Sequence, residues 1–120
     1  YALPPVEIVP KQGFFGTEAR MEPGAVQYIA PVRPASLSDD EGDAQAIRAE
    51  IERAALEVYR AYNARDLARV DLIWDGAQAR VFEVHVSPGM AERSLFPAAC
   101  EAAGLSLSSV LNELVTQYAK

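Results

Sequence analysis

The sequence predicts an α+β fold in which an antiparallel sheet has helices packed on one face. Short β-prone runs bounded by Pro and Gly occupy the first 35 residues, and a further β-prone pair follows at residues 69–86. Three other stretches repeat apolar residues every three or four positions, which is the spacing of amphipathic helices. Because 120 residues, 50% of them hydrophobic, suit one ordinary core, we expect residues 1–120 to form a single domain.

The first 35 residues predict short strands joined by turns, at residues 6–9, 14–15 and 26–29. The chain opens with YALPPVEIV and has neither an initiator Met nor the basic stretch and apolar block of a signal peptide. We therefore expect it to be part of a longer protein.

The segment SLSDDEGDAQ predicts the start of a helix over residues 41–62. Ser38 and Glu41 have the spacing of a capping box, and the acidic residues favour a helix amino terminus. Two further helices are predicted at residues 95–103, ended by Gly104, and at residues 107–119, with Ser94 and Ser106 as N-caps.

Composition excludes several classes of partner. The formal net charge of −6 argues against binding to nucleic acid, which requires clustered Lys and Arg, but it is compatible with acidic groups that hold magnesium beside nucleotide phosphates. No apolar run approaches the ~18 residues of a membrane helix, so we expect no membrane partner. The single cysteine, Cys100, favours a reduced, cytoplasmic setting, and it is interpreted as a small buried hydrophobe because no His lies near it in sequence to activate it.

The segment RVDLIWDGAQARVFEVHVSPGM places carboxylates inside two apolar strands, where an unpaired charge is poorly solvated. Side chains alternate along a strand, so the length of the connecting loop decides which residues share a face. A loop of three residues, 75–77, or of five gathers Arg69, Asp71, Glu83 and His85 on one face. The same register stacks a dry face from Val70, Leu72 and Trp74 beside Phe82, Val84 and Val86.

Taken alone, Arg69 beside an acid is typical of a salt-bridge ladder, and a lone histidine such as His85 is typical of a structural residue. The S-P-G-M turn and the helix start at Ser94 change this interpretation, because backbone N–H groups at such positions bind anions. Together these features predict a metal-assisted phosphate or carboxylate site.

Five blocks occur in the order found in one known family: LPPVEIVPKQGFF, TEARMEPGAVQYIAP, ARVDL, FEVHVSPGM and ERSLFPAACEAAGLS. The sequence resembles the D-alanine–D-alanine ligases of the ATP-grasp superfamily, specifically their carboxy-terminal half. The resemblance implies an ATP-grasp segment that uses ATP and Mg²⁺, with Mn²⁺ as the alternative ion. It also implies D-amino acid substrates and a role in peptidoglycan precursor synthesis for the cell wall, through an acyl phosphate that an amine attacks.

The resemblance implies roles for the metal ligands and their neighbours. Asp71 and Glu83 match the residues that hold magnesium on the ATP phosphates, and His85 stands where the family usually has Asn. Imidazole is a softer donor than the Asn carbonyl, so this departure, together with those below, bears on the second metal position and the substrate identity. Val86 similarly replaces Thr, and Arg20 with Met21 replaces Lys-Tyr.

The remaining implied roles concern phosphate and substrate. Arg20 keeps a cation for the ATP phosphates, and Arg69 matches the catalytic arginine that contacts the transferred phosphate. Gly89 matches the catalytic glycine whose N–H faces the reacting carbonyl, and Ser94 with Leu95 matches the pair that binds the carboxylate of the second substrate.

The resemblance also implies a missing partner, the amino-terminal half with its glycine-rich lid and adenine hinge. We therefore expect the isolated chain to be inactive, and to self-associate through uncovered strand edges. Two alternatives stay open: an ATP-grasp ligase for another carboxylate and amine, and an isolated or degenerate domain without catalysis.

Overall fold

The computed structural model describes residues 1–10, 26–92 and 94–119. The predicted strand at residues 14–15 and the predicted phosphate ligand Arg20 lie outside these ranges. None of the helices in the described ranges is long and apolar enough to span a membrane. The elements in chain order are β1 (Glu7–Pro10), β2 (Val26–Ile29), α1 (Pro34–Leu37), α2 (Glu41–Ala61), β3 (Arg69–Trp74), β4 (Ala79–His85), α3 (Leu95–Ala102) and α4 (Leu107–Tyr118).

The strands form two antiparallel pairs, β1 with β2 and β3 with β4, each a two-stranded sheet in the described part of the chain. Helix α2 packs against both β3 and β4, and α3 packs against α4. The predicted α+β class is confirmed. The β3–β4 hairpin is therefore held by the longest helix of the fold, which gives the candidate site a fixed support.

Helix α2 begins one residue after Asp40, whose side chain accepts a hydrogen bond from the N–H of Gly42 at 3.3 Å. The predicted capping box is wrong. The hydroxyl of Ser38 instead accepts from the N–H of Asp40 at 3.2 Å, so it fixes the turn before the helix. A carboxylate at the N-cap position satisfies the same orphan donors and also opposes the positive end of the helix dipole.

Helix α1 was not predicted, because four residues are too few to show a helical period. It is positioned by Glu7 of β1, which accepts from the Arg33 guanidinium at 2.8 and 3.2 Å and from the Ser36 hydroxyl at 2.9 Å. The hydrogen bonds from Arg33 hold the pKa of Glu7 below its ordinary value. This cluster fastens the first strand to the segment that leads into α2.

The core lies around α3, which carries Leu95, Phe96, Ala99 and Cys100, four of the seven buried apolar residues in the described part of the chain. Cys100 is 0% exposed, and burial raises the pKa of its thiol, which confirms its interpretation as a small buried hydrophobe. Ser94 stands at the N-cap of α3 without a capping hydrogen bond from its side chain, whereas Ser106 caps α4 by accepting from the N–H of Ser109. Among the described residues, the remaining buried apolar side chains are Val32 and Ala44 before and at the start of α2, and Ile51 within it.

Candidate metal and phosphate site

The site is built on the paired ends of β3 and β4. Asp71 lies directly opposite Glu83, and Arg69 lies opposite His85. Directly opposed residues point to the same face of a sheet, so the prediction that the two carboxylates share a face is confirmed.

The loop that connects β3 and β4 differs from the prediction. The loop contains four residues, 75–78, with Trp74 opposite Ala79, so the predicted odd loop length is wrong. An even loop alone would set Asp71 opposite Phe82 and turn Glu83 to the other face. A β-bulge at Phe82 adds one residue to β4 and restores the pairing of the two carboxylates.

The bulge also changes the face that was predicted to be dry. Phe82 has no partner in the register and its side chain is 58% exposed, so its predicted place in an apolar stack is wrong. Leu72 and Trp74 pair with Val81 and Ala79 instead. The alternation of side chains predicted that Phe82 would lie on the apolar face. The bulge interrupts this alternation in β4, so the prediction fails at Phe82.

Asp75 explains the four-residue loop. Its carboxylate accepts from the N–H groups of Ala77 and Gln78, both at 2.8 Å, and pairs with the guanidinium of Arg80. The backbone hydrogen bonds lower the pKa of Asp75 to about 2. Gly76 follows with φ +95°, a conformation that favours glycine, and together they close the turn.

Asp71 is the most buried charged residue of the hairpin, at 7% exposure. Arg69 lies two residues earlier on the same face, and its guanidinium donates two hydrogen bonds to the Asp71 carboxylate. Nε lies 2.9 Å from Oδ1 and Nη2 lies 3.1 Å from Oδ2. This two-point contact orients the carboxylate and keeps its charge compensated in a nearly dry position.

His85 completes the cluster. Its Nε2 lies 3.2 Å from Oε1 of Glu83 and 3.4 Å from Oδ2 of Asp71, and one donor atom from each of the three residues lies within 4.8 Å of the others. The Nε2 atom is buried, and within residues 1–10, 26–92 and 94–119 no group hydrogen-bonds to it. Two carboxylate oxygens and an unsatisfied imidazole nitrogen form a donor set that fits a divalent cation.

The turn after β4 brings two further predicted residues together. A Cβ built on Gly89 would lie 3.1 Å from Oγ of Ser94, so a side chain at this position would displace the Ser94 hydroxyl by a few tenths of an ångström. The N–H of Ser94 donates to the carbonyl of Ala91 at 2.8 Å, and its hydroxyl makes no capping bond. The side chain of Leu95 is buried in the core. The roles of these three residues stay predictions.

An apolar cavity of about 810 Å³ runs beside the cluster, a volume typical of ligand sites. Arg69 and Asp71 form part of its wall, with apolar side chains from α2, α3 and α4. Sequence reasoning missed this cavity because it depends on how distant elements pack. Its polar edge coincides with the buried end of the candidate site.

Comparison with known proteins gives the family. Residues 1–116 match the family described as the D-ala D-ala ligase C-terminus. The chain belongs to this family. A D-alanine–D-alanine ligase of Desulforudis audaxviator is 36% identical over 114 residues, covering 94% of the chain and 34% of the relative. The ligase of Syntrophobacter fumaroxidans is 35% identical over 116 residues, covering 95% and 34%, and that of Carboxydothermus hydrogenoformans is 34% identical over 119 residues, covering 94% and 34%.

Membership of the D-ala D-ala ligase C-terminus family confirms the resemblance and identifies the α+β fold as part of an ATP-grasp architecture. The chain spans about a third of the length of the curated relatives it matches. Family membership does not test the individual site residues, so the assignments of Asp71, Glu83 and His85 rest on the geometry of the hairpin.

Proposed function

We propose that this chain forms the metal and second-substrate side of an ATP-dependent ligase that joins two D-alanine molecules for peptidoglycan precursor synthesis. The observation that supports it most is the convergence of Asp71, Glu83 and His85 beside Arg69 at one end of the hairpin. Acidic metal ligands beside a cationic side chain are a combination that phosphoryl-transfer sites use to neutralise the charge of the transferred group. A bound divalent cation would neutralise charge on the ATP phosphates.

The proposed reaction has two steps. A carboxylate oxygen of the first D-alanine attacks the γ-phosphorus of ATP, and ADP leaves with the electron pair of the broken bond. The amine of the second D-alanine then attacks the acyl carbon, the amine loses a proton, and inorganic phosphate leaves. Arg69 gives Nε and one N–H of Nη2 to Asp71, and we assign its other guanidinium N–H groups to spreading the phosphoryl charge.

The turn at Gly89 is proposed to hold the second substrate. A residue without a side chain allows the substrate and the backbone to approach each other, and the Ser94 hydroxyl is not engaged as a helix cap. We assign Ser94 and the backbone of Leu95 to the substrate carboxylate, which the amino terminus of α3 favours electrostatically. Arg20 is proposed as the second cation on the phosphates.

His85 favours a second candidate, a ligase of the same chemistry for another carboxylate and amine. An imidazole replaces the amide that the resemblance leads one to expect, and such a ligand would alter how an ion is held beside the phosphates. The same test separates this candidate from D-alanine ligation and from a domain without catalysis.

The test is ATP-dependent phosphate release by a longer protein that contains this chain, assayed across a panel of D- and L-amino acids. D-alanine should give the highest rate and a dipeptide product. A different amino acid pair would support the second candidate, and no release with any pair would contradict the proposal. The isolated 120-residue chain is the matched control and should form no dipeptide, because we propose that an amino-terminal half supplies the adenine and first-substrate contacts.

The proposal includes the cytoplasmic setting expected from the single cysteine, and ATP and D-amino acids as the small-molecule partners. Self-association remains a proposal, tested by the mass of the chain in solution.

A further inference from the structure

The donor set of the hairpin is chemically mixed. Asp71 and Glu83 offer carboxylate oxygens, which suit hard cations, whereas His85 offers an imidazole nitrogen, which Mg²⁺ binds poorly and first-row transition ions bind well. Affinity for nitrogen ligands rises along the Irving–Williams order from Mn²⁺ to Co²⁺, whereas Mg²⁺ is a hard cation that prefers oxygen ligands.

The spacing suits coordination. Adjacent donors about 2.1 Å from an ion lie about 3.0 Å apart in an octahedron and about 3.4 Å apart in a tetrahedron. The distances from Nε2 of His85 to Oε1 of Glu83 and to Oδ2 of Asp71 are 3.2 and 3.4 Å. Both contacts lack the geometry of a hydrogen bond, and the nitrogen is buried. A buried polar atom without a partner is destabilising, and an ion between the three donors would satisfy it.

We propose that Asp71, Glu83 and His85 bind a first-row transition dication, with Mn²⁺ as its representative, in preference to Mg²⁺. The preference comes from His85, while the two carboxylates supply affinity for either ion. Arg69 remains on Asp71 and holds the Oδ2 atom toward His85, which makes Arg69 a positioning residue for the ion. This inference rests on the proposed function only in assigning the ion to the same site.

The test measures Mn²⁺ binding to the 120-residue chain at pH 8 by electron paramagnetic resonance, with Mg²⁺ as competitor and without ATP or substrate. The wild-type chain should bind Mn²⁺ at one site, and its Mn²⁺ spectrum should show spin-echo modulation from a directly coordinated imidazole nitrogen. His85→Asn should abolish the nitrogen modulation and reduce the preference for Mn²⁺ over Mg²⁺ about tenfold. Glu83→Gln is the matched control, which should weaken both ions but keep the nitrogen modulation.

Thermal unfolding of each variant, monitored by circular dichroism, shows whether a variant has lost only a metal-ligating side chain or the fold itself. His85→Gln serves as a second variant without the ring nitrogen, and it should reproduce the loss of preference. Equal Mn²⁺ preference in wild type and both His85 variants, or no Mn²⁺ binding by folded wild-type chain, would overturn the inference.

The outcome is separable from that of the proposed function. A ligase that prefers Mg²⁺ would overturn this inference and leave the function standing. A selective Mn²⁺ site in a longer protein that releases no phosphate would support the inference and contradict the function.

Discussion

Replacing Asp71 with Asn tests how much the buried ion pair between Asp71 and Arg69 stabilises the hairpin. The side chain of Asp71 is 6% exposed and that of its partner Arg69 is 23% exposed, so Asp71→Asn leaves a guanidinium in a poorly solvated position without its counterion. Losing two charge-assisted hydrogen bonds should lower the free energy of unfolding by about 2 kcal/mol. A 120-residue domain unfolds with an entropy of about 0.25 kcal/mol/K, so the midpoint should fall by about 8 °C.

Glu83→Gln is the matched control, because it makes the same chemical change on the opposing residue. The Glu83 side chain is 40% exposed, and water can replace much of what the charge contributes, so the expected loss is below about 0.5 kcal/mol, or about 2 °C. The assay is thermal unfolding in the presence of a metal chelator. Adding Arg69→Met to Asp71→Asn should recover part of the loss, since both partners are then apolar or neutral. An Asp71→Asn midpoint within 2 °C of wild type, or an equal loss for Glu83→Gln, would refute the reasoning.

Three further predictions concern the turn, the substrate loop and the core. Asp75 has its pKa lowered from 3.8 to about 2, so it stabilises the fold above pH 4 and this contribution is lost as the pH falls toward 2. The melting midpoint of Asp75→Asn should therefore lie below that of wild type at pH 5 to 7 and equal it at pH 2. A difference in midpoint that does not change with pH would contradict this role of the Asp75 carboxylate. Gly89→Ala should lower the melting midpoint because its Cβ meets the Ser94 hydroxyl at 3.1 Å, and Ser94→Ala should relieve that loss in the double variant; additive losses would contradict the contact. Cys100 is 0% exposed and its thiol pKa is raised, so it should react with a disulfide reagent only when the chain unfolds. Cys100→Ser should lower the free energy of unfolding by about 1–3 kcal/mol, and Cys100→Ala should lower it less. Rapid labelling of the folded chain would contradict the burial of Cys100.

The three longer helices, α2, α3 and α4, and the shared face of the carboxylates were predictable because they follow from short-range patterns. The apolar stripe of α2 and the alternation along β3 each need only a few neighbouring residues to be recognised. The bulge at Phe82 was not predictable. Two arrangements fit the apolar pattern, an odd loop and an even loop with one extra residue in β4, and the hydrogen bonds made by Asp75 favour the second. Both solutions place Asp71 and Glu83 on the same face of the hairpin, which is why the shared-face prediction was right although the loop prediction was wrong.

The cavity depends on contacts between elements distant in sequence. The apolar period of α4 predicts a helix but does not specify how α2, α3 and α4 lie around the hairpin residues that line the cavity. The buried Nε2 of His85 is also a tertiary feature, since a lone histidine in a strand is ordinarily a satisfied structural residue.

The most direct test of the account compares turnover of Glu83→Gln and His85→Asn in a longer protein that contains this chain, at saturating ATP and Mg²⁺. Glu83 contributes a full negative charge to the site, so Glu83→Gln should lower kcat by about 10²-fold or more, a barrier increase of roughly 3 kcal/mol. His85→Asn provides an oxygen donor that Mg²⁺ prefers, so its kcat should equal or exceed that of wild type. Loss of turnover in His85→Asn with full turnover in Glu83→Gln would contradict the assignment of the site.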